Sequence, residues 1–280
     1  MTAIAHTPSG LAPADEPTPS PGSTMARVFE HRLMAYRRTF RSSLFSSFVT
    51  PTLFLAAMGV GLGSYVDSGD SAALGGISYL AFLAPGLLAA TAMNSASFEA
   101  TFPVMSGLLW NRTFHAMYAT PISARDITLG NLAFMAARLT LIATVFAAVI
   151  VLFGAATSPL IVLAIPAAVL TGMAFAAPIA AFSATQKTPE KFNALFRFVI
   201  TPLFLFSGTF FPVSSLPPVL QSIAWLTPLY HGVSLTRGLS LGTISQDPLA
   251  AIVDVLFLST FVIVGTFFAI RTIDARLVRG

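Results

Sequence analysis

Cysteine is absent from the 280 residues and charge is scarce: 55% of the chain is hydrophobic and 9% is Asp, Glu, Lys or Arg. The first absence excludes disulfides, iron–sulfur clusters and thiolate catalysis. The second is incompatible with water as the solvent for most of the surface, because a soluble domain carries about 25% charged residues. Lysine is nearly missing as well, with only Lys187 and Lys191, both in TQKTPEK. Neither sits in a G-x-x-x-x-G-K-[ST] loop, so the chain does not hold nucleotide phosphates in that way. Glu99, Asp126 and Asp254 occur singly, and His6, His31, His115 and His231 lack metal-ligand spacing. Paired carboxylates for magnesium and a catalytic metal constellation are therefore both missing. The net charge of +4 is modest, and the basic residues fall between apolar runs instead of clustering on a soluble face, which excludes nucleic acid as an expected partner.

What is present is a series of apolar runs of the length a bilayer demands, roughly 20 residues each. Six spans are expected, near Leu44–Ser64, Ile77–Phe102, Ile127–Phe153, Leu160–Ala184, Phe192–Phe211 and Ala251–Ile273. The fold class is thus all-α and polytopic. Ser158-Pro159, Thr188-Pro189 and Asp247-Pro248 mark helix starts, since a cap residue followed by Pro satisfies orphan amides and presets φ. Pro51 should kink the first span. Residues 1–24 are rich in Pro, Ser, Thr and Ala and lack an apolar block, so they read as a disordered tail and not as a signal peptide; 25–280 form the membrane domain.

Apart from Arg138, inside the third span, and Arg237, in an outside loop, every Lys and Arg lies on segments that face one side if the N-terminus is cytoplasmic. The positive-inside rule therefore predicts both termini inside. Before the first span, ARVFEHRLMAYRRTFRSS interleaves Val28, Phe29, Leu33, Met34, Tyr36 and Phe40 with Arg37, Arg38 and Arg41. This is the pattern of a basic amphipathic helix at the membrane interface, its cations toward lipid phosphate. It serves either as a topological anchor or in docking a partner.

Glu99 near the inner end of the second span and Arg138 about 16 Å into the third are expected to pair across an antiparallel hairpin, since isolated charges in a bilayer need partners. The pair is either a structural clasp or a moving gate. Between those spans, MSGLLWNRTFHAMY (Met105 to Tyr118) is too polar to cross and reads as a short cytoplasmic helix with an apolar contact surface, or as an interfacial loop. Thr120-Pro121 ends it, and Ser123 with Asp126 forms an S-x-x-D capping box for the next helix. GVGLG, Gly59 to Gly63, has no preceding strand and reads as close helix packing or a frayed helix end. Between the fifth and sixth expected spans the chain is apolar but broken by Pro212, Pro217, Pro218 and Pro228, which suits short re-entrant or interfacial helices.

Three stretches carry a resemblance: YLAFLAPGLLAATAMNSASFEATF, MYATPISARDITLGNL and FLFSGTFFPVSSLPPVLQSIAWLTPLYHGVSLTRG. With the order of elements from Arg27 onward, the chain resembles the permease subunit of ABC exporters of the ABC-2 type, especially the nodulation lipo-oligosaccharide and daunorubicin exporter permeases. The resemblance implies a bacterial cytoplasmic membrane protein that is not itself an enzyme. ATP and Mg would be bound by a separate nucleotide-binding ATPase subunit, with no cofactor in this chain. It implies a coupling segment over Leu108 to Thr120, with Arg112, His115 and Tyr118 as polar contacts to that ATPase. It also implies a second permease copy or homologous permease as partner, and an amphipathic cargo such as a lipid, glycolipid or hydrophobic drug. The translocation path would then be lined by residues including Asn94, Phe204, Phe206 and Phe210. An ion- or proton-coupled secondary carrier is the alternative reading; it needs charges along a continuous route.

Overall fold

The computed structural model describes residues 21–38, 52–63 and 76–279, together with the isolated positions 40, 45 and 49. The chain is helical, with no strand among these residues. The first helix, α1, runs Pro21–Arg37; most of the tail expected at residues 1–24, and part of the first expected span, lie outside the described residues. The second half of that span includes a π-helical segment, Ala56–Leu62, in which Gly59 lies against the Leu80 side chain. A Cβ there would press on the end of the Leu80 side chain, whereas Gly61 has open space around it, so within this run close packing is seen at Gly59.

Among the described residues, four helices are individually long and apolar enough to cross a membrane: α2 (Tyr79–Met105, continued as a π turn Ser106–Trp110), α4 (Ala124–Leu152), α5 (Ile161–Thr185) and α10 (Pro248–Arg279). The shortest has 25 residues, about 37 Å of helix against a hydrocarbon core of about 30 Å. Their starts follow local chemistry. Ser78 caps α2 by accepting from Ala81 N at 3.3 Å, and Asp247 Oδ1 accepts from Ala250 N at 3.0 Å at the start of α10. In both cases an otherwise orphaned amide gains an acceptor.

The expected fifth span, Phe192–Phe211, differs in the structure. It consists of α6 (Glu190–Leu195), a π turn (Phe196–Ile200) and α7 (Thr201–Phe206), and it stops at Phe206. The stop has a cause: Gly208 takes φ +82°, a left-handed conformation that ends the helix, and its carbonyl accepts from Arg237 Nη2 at 2.8 Å.

The Pro-broken segment forms α8 (Pro218–Trp225) and α9 (Pro228–Leu241). α9 is short, 14 residues, or about 21 Å of helix, too short to cross alone. It is nevertheless buried against α2, α5 and α10. Thr227 caps it, and Gly242 at φ +75° ends it. Thr236 Oγ1 donates to Pro85 O at 2.9 Å, the carbonyl of a proline inside α2, and so ties α9 to that helix.

At the centre is α5, packed against α2, α4, α9 and α10. Small residues allow this. At Gly172 a Cβ would come within 3.0 Å of Ala92 O, so glycine is what permits α5 and α2 to approach backbone to backbone. α10 is the contrast, with Leu249, Leu256, Ile263 and Phe268 exposed along its length. Such a surface is unfavourable in water and suited to lipid.

Candidate coupling surface and buried charge clusters

The link between α2 and α4 is a built corner. The π turn ends where Asn111 N donates to Ser106 O at 2.9 Å, and the Asn111 amide reaches Ser106 Oγ at 2.9 Å. Arg112 then takes φ +50°, reversing the chain into α3 (Thr113–Tyr118). A non-glycine residue in the left-handed region is uncommon and costs energy that the surroundings must offset. The offset is packing: Phe114 is buried and sits over Gly107, where a Cβ would lie 2.7 Å from its ring.

Just beyond the end of α3, Thr120 Oγ1 donates to Met117 O at 2.6 Å. Ser123 caps α4 by accepting from Asp126 N at 3.1 Å, while its hydroxyl donates to Asp126 Oδ2 at 2.8 Å. The S-x-x-D pair thus works through the two side chains. The corner is therefore fixed at both ends.

The corner also corrects the expected apolar contact surface. Leu108, grouped with the coupling residues by resemblance, is 2% exposed and packs inward with Phe114; Leu109 and Met117 are half-buried against the same core. Trp110, 56% exposed, is the large apolar side chain facing out beside Arg112, Tyr118 and Thr120, which are all exposed. His115 is half-buried, and its Nδ1 is sealed without a hydrogen-bond partner among the described residues. Burial, helped by Arg112 and by Arg276 near the end of α10, pushes its pKa below the ordinary histidine value.

Glu99 of α2 and Arg138 of α4 are brought together as an ion pair, Arg138 Nη1 donating to Glu99 Oε2. The pair has a third member: Arg32 of α1, with Nη2 at 3.7 Å from Glu99 Oε1. Each arginine also covers an aromatic face at 5.4 Å, Arg32 over Phe134 and Arg138 over Tyr36.

Of the residues expected along a path, Phe204 and Phe210 meet edge to face, centroids 5.0 Å apart, with Phe54 beyond at 6.2 Å from Phe210. Phe206 is exposed. Asn94 donates from its amide to Ala90 O on its own helix at 2.9 Å.

Two buried arrangements escaped the sequence reading. His231 of α9 has Nδ1 2.7 Å from Asp254 Oδ1 of α10 and Nε2 2.9 Å from Trp225 O. Since a carbonyl only accepts, Nε2 carries a hydrogen, and one further proton lies between Nδ1 and the carboxylate. Arg237, read as a loop cation, is instead seated on backbone carbonyls. Its Nε donates to Phe82 O at 3.1 Å, and its guanidinium lies 3.8 Å from the Phe82 ring centroid.

An all-α chain of long apolar helices, with the short helix α9 buried among them and a fixed corner between α2 and α4, is a multi-pass membrane protein. The family model for the ABC-2 type transporter matches residues 27–241. Nodulation protein J of Rhizobium meliloti (strain 1021) is 31% identical over 225 residues, covering 80% of this chain and 84% of the relative. Nodulation protein J of Rhizobium leguminosarum bv. trifolii is 33% identical over 230 residues, 81% and 86% of the two chains. The inner membrane transport permease YadH of Escherichia coli (strain K12) is 26% identical over 226 residues, 81% and 84%. The chain belongs to the ABC-2 type transporter family, and it is a permease subunit of that type.

Proposed function

We propose that the chain is the membrane half of an ATP-driven exporter, moving an amphipathic cargo across a bacterial cytoplasmic membrane with both termini inside. A separate nucleotide-binding ATPase supplies the energy, and a second permease, identical or homologous, completes the path. The observation that carries this reading is the rigid corner from Gly107 to Asp126. A short helix packed over a glycine, reversed at Arg112 and capped into the next span, forms a lever through which a partner's movement tilts α2 and α4 together. Trp110, Arg112, Tyr118 and Thr120 offer that partner an aromatic and cationic surface. The ATPase's binding energy then shifts the permease between inward-facing and outward-facing states only insofar as it differs between them.

The test is reconstitution in vesicles with and without the candidate ATPase, reading ATP hydrolysis and cargo movement together. Hydrolysis coupled to transport, and lost on Trp110→Ala with Tyr118→Ala, is the expected result. Transport that continues without any ATPase overturns it and favours an ion-coupled carrier.

A further inference from the structure

α1 does not stand apart from the bundle. Gly130 lies against Val28, and Phe134 meets Phe29 and Tyr36 edge-on at 6.3 and 5.8 Å, so α1 follows the first half of α4 in the same direction. Further along, the two helices leave a groove of about 420 Å³. Leu33, Phe40, Phe134 and Leu141 form its apolar walls, and Arg37 and Arg138 its polar edge.

The charges around it do not balance. Arg32 and Arg138 share the single carboxylate of Glu99, and among the described residues no other Asp or Glu lies within 4.0 Å of Arg32, Arg37 or Arg138. The Nε atoms of Arg32 and Arg138 are buried without an acceptor. Burial first, and then the neighbouring Arg138, hold the Arg32 guanidinium down to about 10. The adjoining chain offers no relief, because residues 41–51 contain no Asp or Glu and begin with Arg41. Excess cation at the edge of an apolar slot is costly unless an anion arrives with an apolar tail.

We propose that this groove holds one anionic phospholipid, from the leaflet on the α3 side, with an acyl chain between the apolar walls and the phosphate on Arg37 and Arg138. A zwitterionic lipid fits less well, because its own cation must sit beside the arginines. The bound lipid fixes α1 to α4 and completes the neutralisation that Glu99 begins. Each surface arginine strengthens binding of an anionic lipid by about fivefold.

The test uses the full chain in mild detergent, offered equal amounts of phosphatidylglycerol and phosphatidylcholine with the same acyl chains, and native mass spectrometry of what stays bound. The expected result is one retained phosphatidylglycerol, preferred by at least about fivefold. Arg37→Gln should cut the preference about fivefold, whereas Arg279→Gln, an exposed arginine at the far end of α10, should leave it unchanged. Ala137→Trp, which fills the slot without touching a charge, should lower retention of both lipids while circular-dichroism melting stays that of the parent.

Equal retention of the two lipids overturns the proposal. So does the absence of any retained lipid, which would mean that protein fills the groove, or an equal effect of the Arg37 and Arg279 substitutions. If Ala137→Trp fails to fold, Arg37→Gln decides alone, and an undiminished preference in that variant overturns the assignment.

Discussion

His231 Nδ1 lies 2.7 Å from Asp254 Oδ1, and Phe257 stacks on the imidazole with centroids 4.0 Å apart, so one contact joins the short buried helix α9 to the long lipid-facing helix α10. Both side chains are buried. Removing the carboxylate with Asp254→Ala leaves a buried Nδ1 without a hydrogen-bond partner, a loss of about 1–3 kcal/mol. Asp254→Asn keeps a hydrogen bond, because the amide donates to a neutral Nδ1 while Nε2–H still reaches Trp225 O. Thermal unfolding in detergent should therefore rank parent, then Asn, then Ala. An Asn variant less stable than the Ala variant would show that the contact does not work as described.

Much of the fold was legible because the signals were local. Apolar length marked α2, α4, α5 and α10, and Ser123 with Asp126 marked the start of α4 within four consecutive residues. The His231–Asp254 contact was not legible: its members lie 23 positions apart, across the turn that follows Gly242. Each alone is an unremarkable polar residue in an apolar run. Arg237 misled for a related reason. Sequence assigns a cation to water unless a carboxylate is near, whereas here two backbone carbonyls and an aromatic face hold it. Arg32 was read only as one of the basic residues of the cytoplasmic side, yet it turns inward to Glu99 because Gly130 lets α1 close on α4.

Glu99 should be the most sensitive member of its cluster. Glu99→Gln leaves two partly buried guanidiniums facing each other without a counter-charge, with an expected cost of about 3–5 kcal/mol. Arg138→Gln frees Glu99 to pair with Arg32 and should cost less. Arg32→Gln removes a mostly buried partner at the longer distance of 3.7 Å, and because Glu99 keeps Arg138 and one buried excess cation is gone, its effect should be the smallest of the three. The reversed pair Glu99→Arg with Arg138→Glu should recover part of what either single reversal loses. Denaturation of all variants in one detergent checks the ranking. Additive losses in the double reversal would remove the case for a direct interaction.

Gly107 should control the position of α3. In Gly107→Ala the new methyl would sit 2.7 Å from the Phe114 ring, an overpacking that costs about 1–3 kcal/mol and is relieved if the ring swings away. The ring anchors α3, so the short helix should shift while the spans stay folded. In a reconstituted complex the expected outcome is normal assembly with hydrolysis and transport uncoupled, and partial rescue by Phe114→Leu in the same chain. Full coupling in Gly107→Ala alone would separate α3's position from energy transfer.

Acid should loosen this same corner through His115. Its pKa is depressed by burial first, then by Arg112 and Arg276, whereas the unfolded chain titrates near an ordinary value of about 6.5. Above that value both states are neutral at this position and no penalty exists. As pH falls through it, the unfolded or undocked chain takes up a proton that the packed imidazole resists, so stability declines until the folded value is passed and then levels off. The stabilisation is thus present on the alkaline side and lost on the acid side. Amide exchange across residues 107–126 should accelerate between pH 7.5 and pH 5.5 in the parent chain, after correction for the intrinsic pH dependence of exchange. His115→Gln cannot titrate and should lose most of that acceleration. If parent and variant respond equally to acid, some other group governs the corner, and His115 contributes only by filling space beneath Arg276.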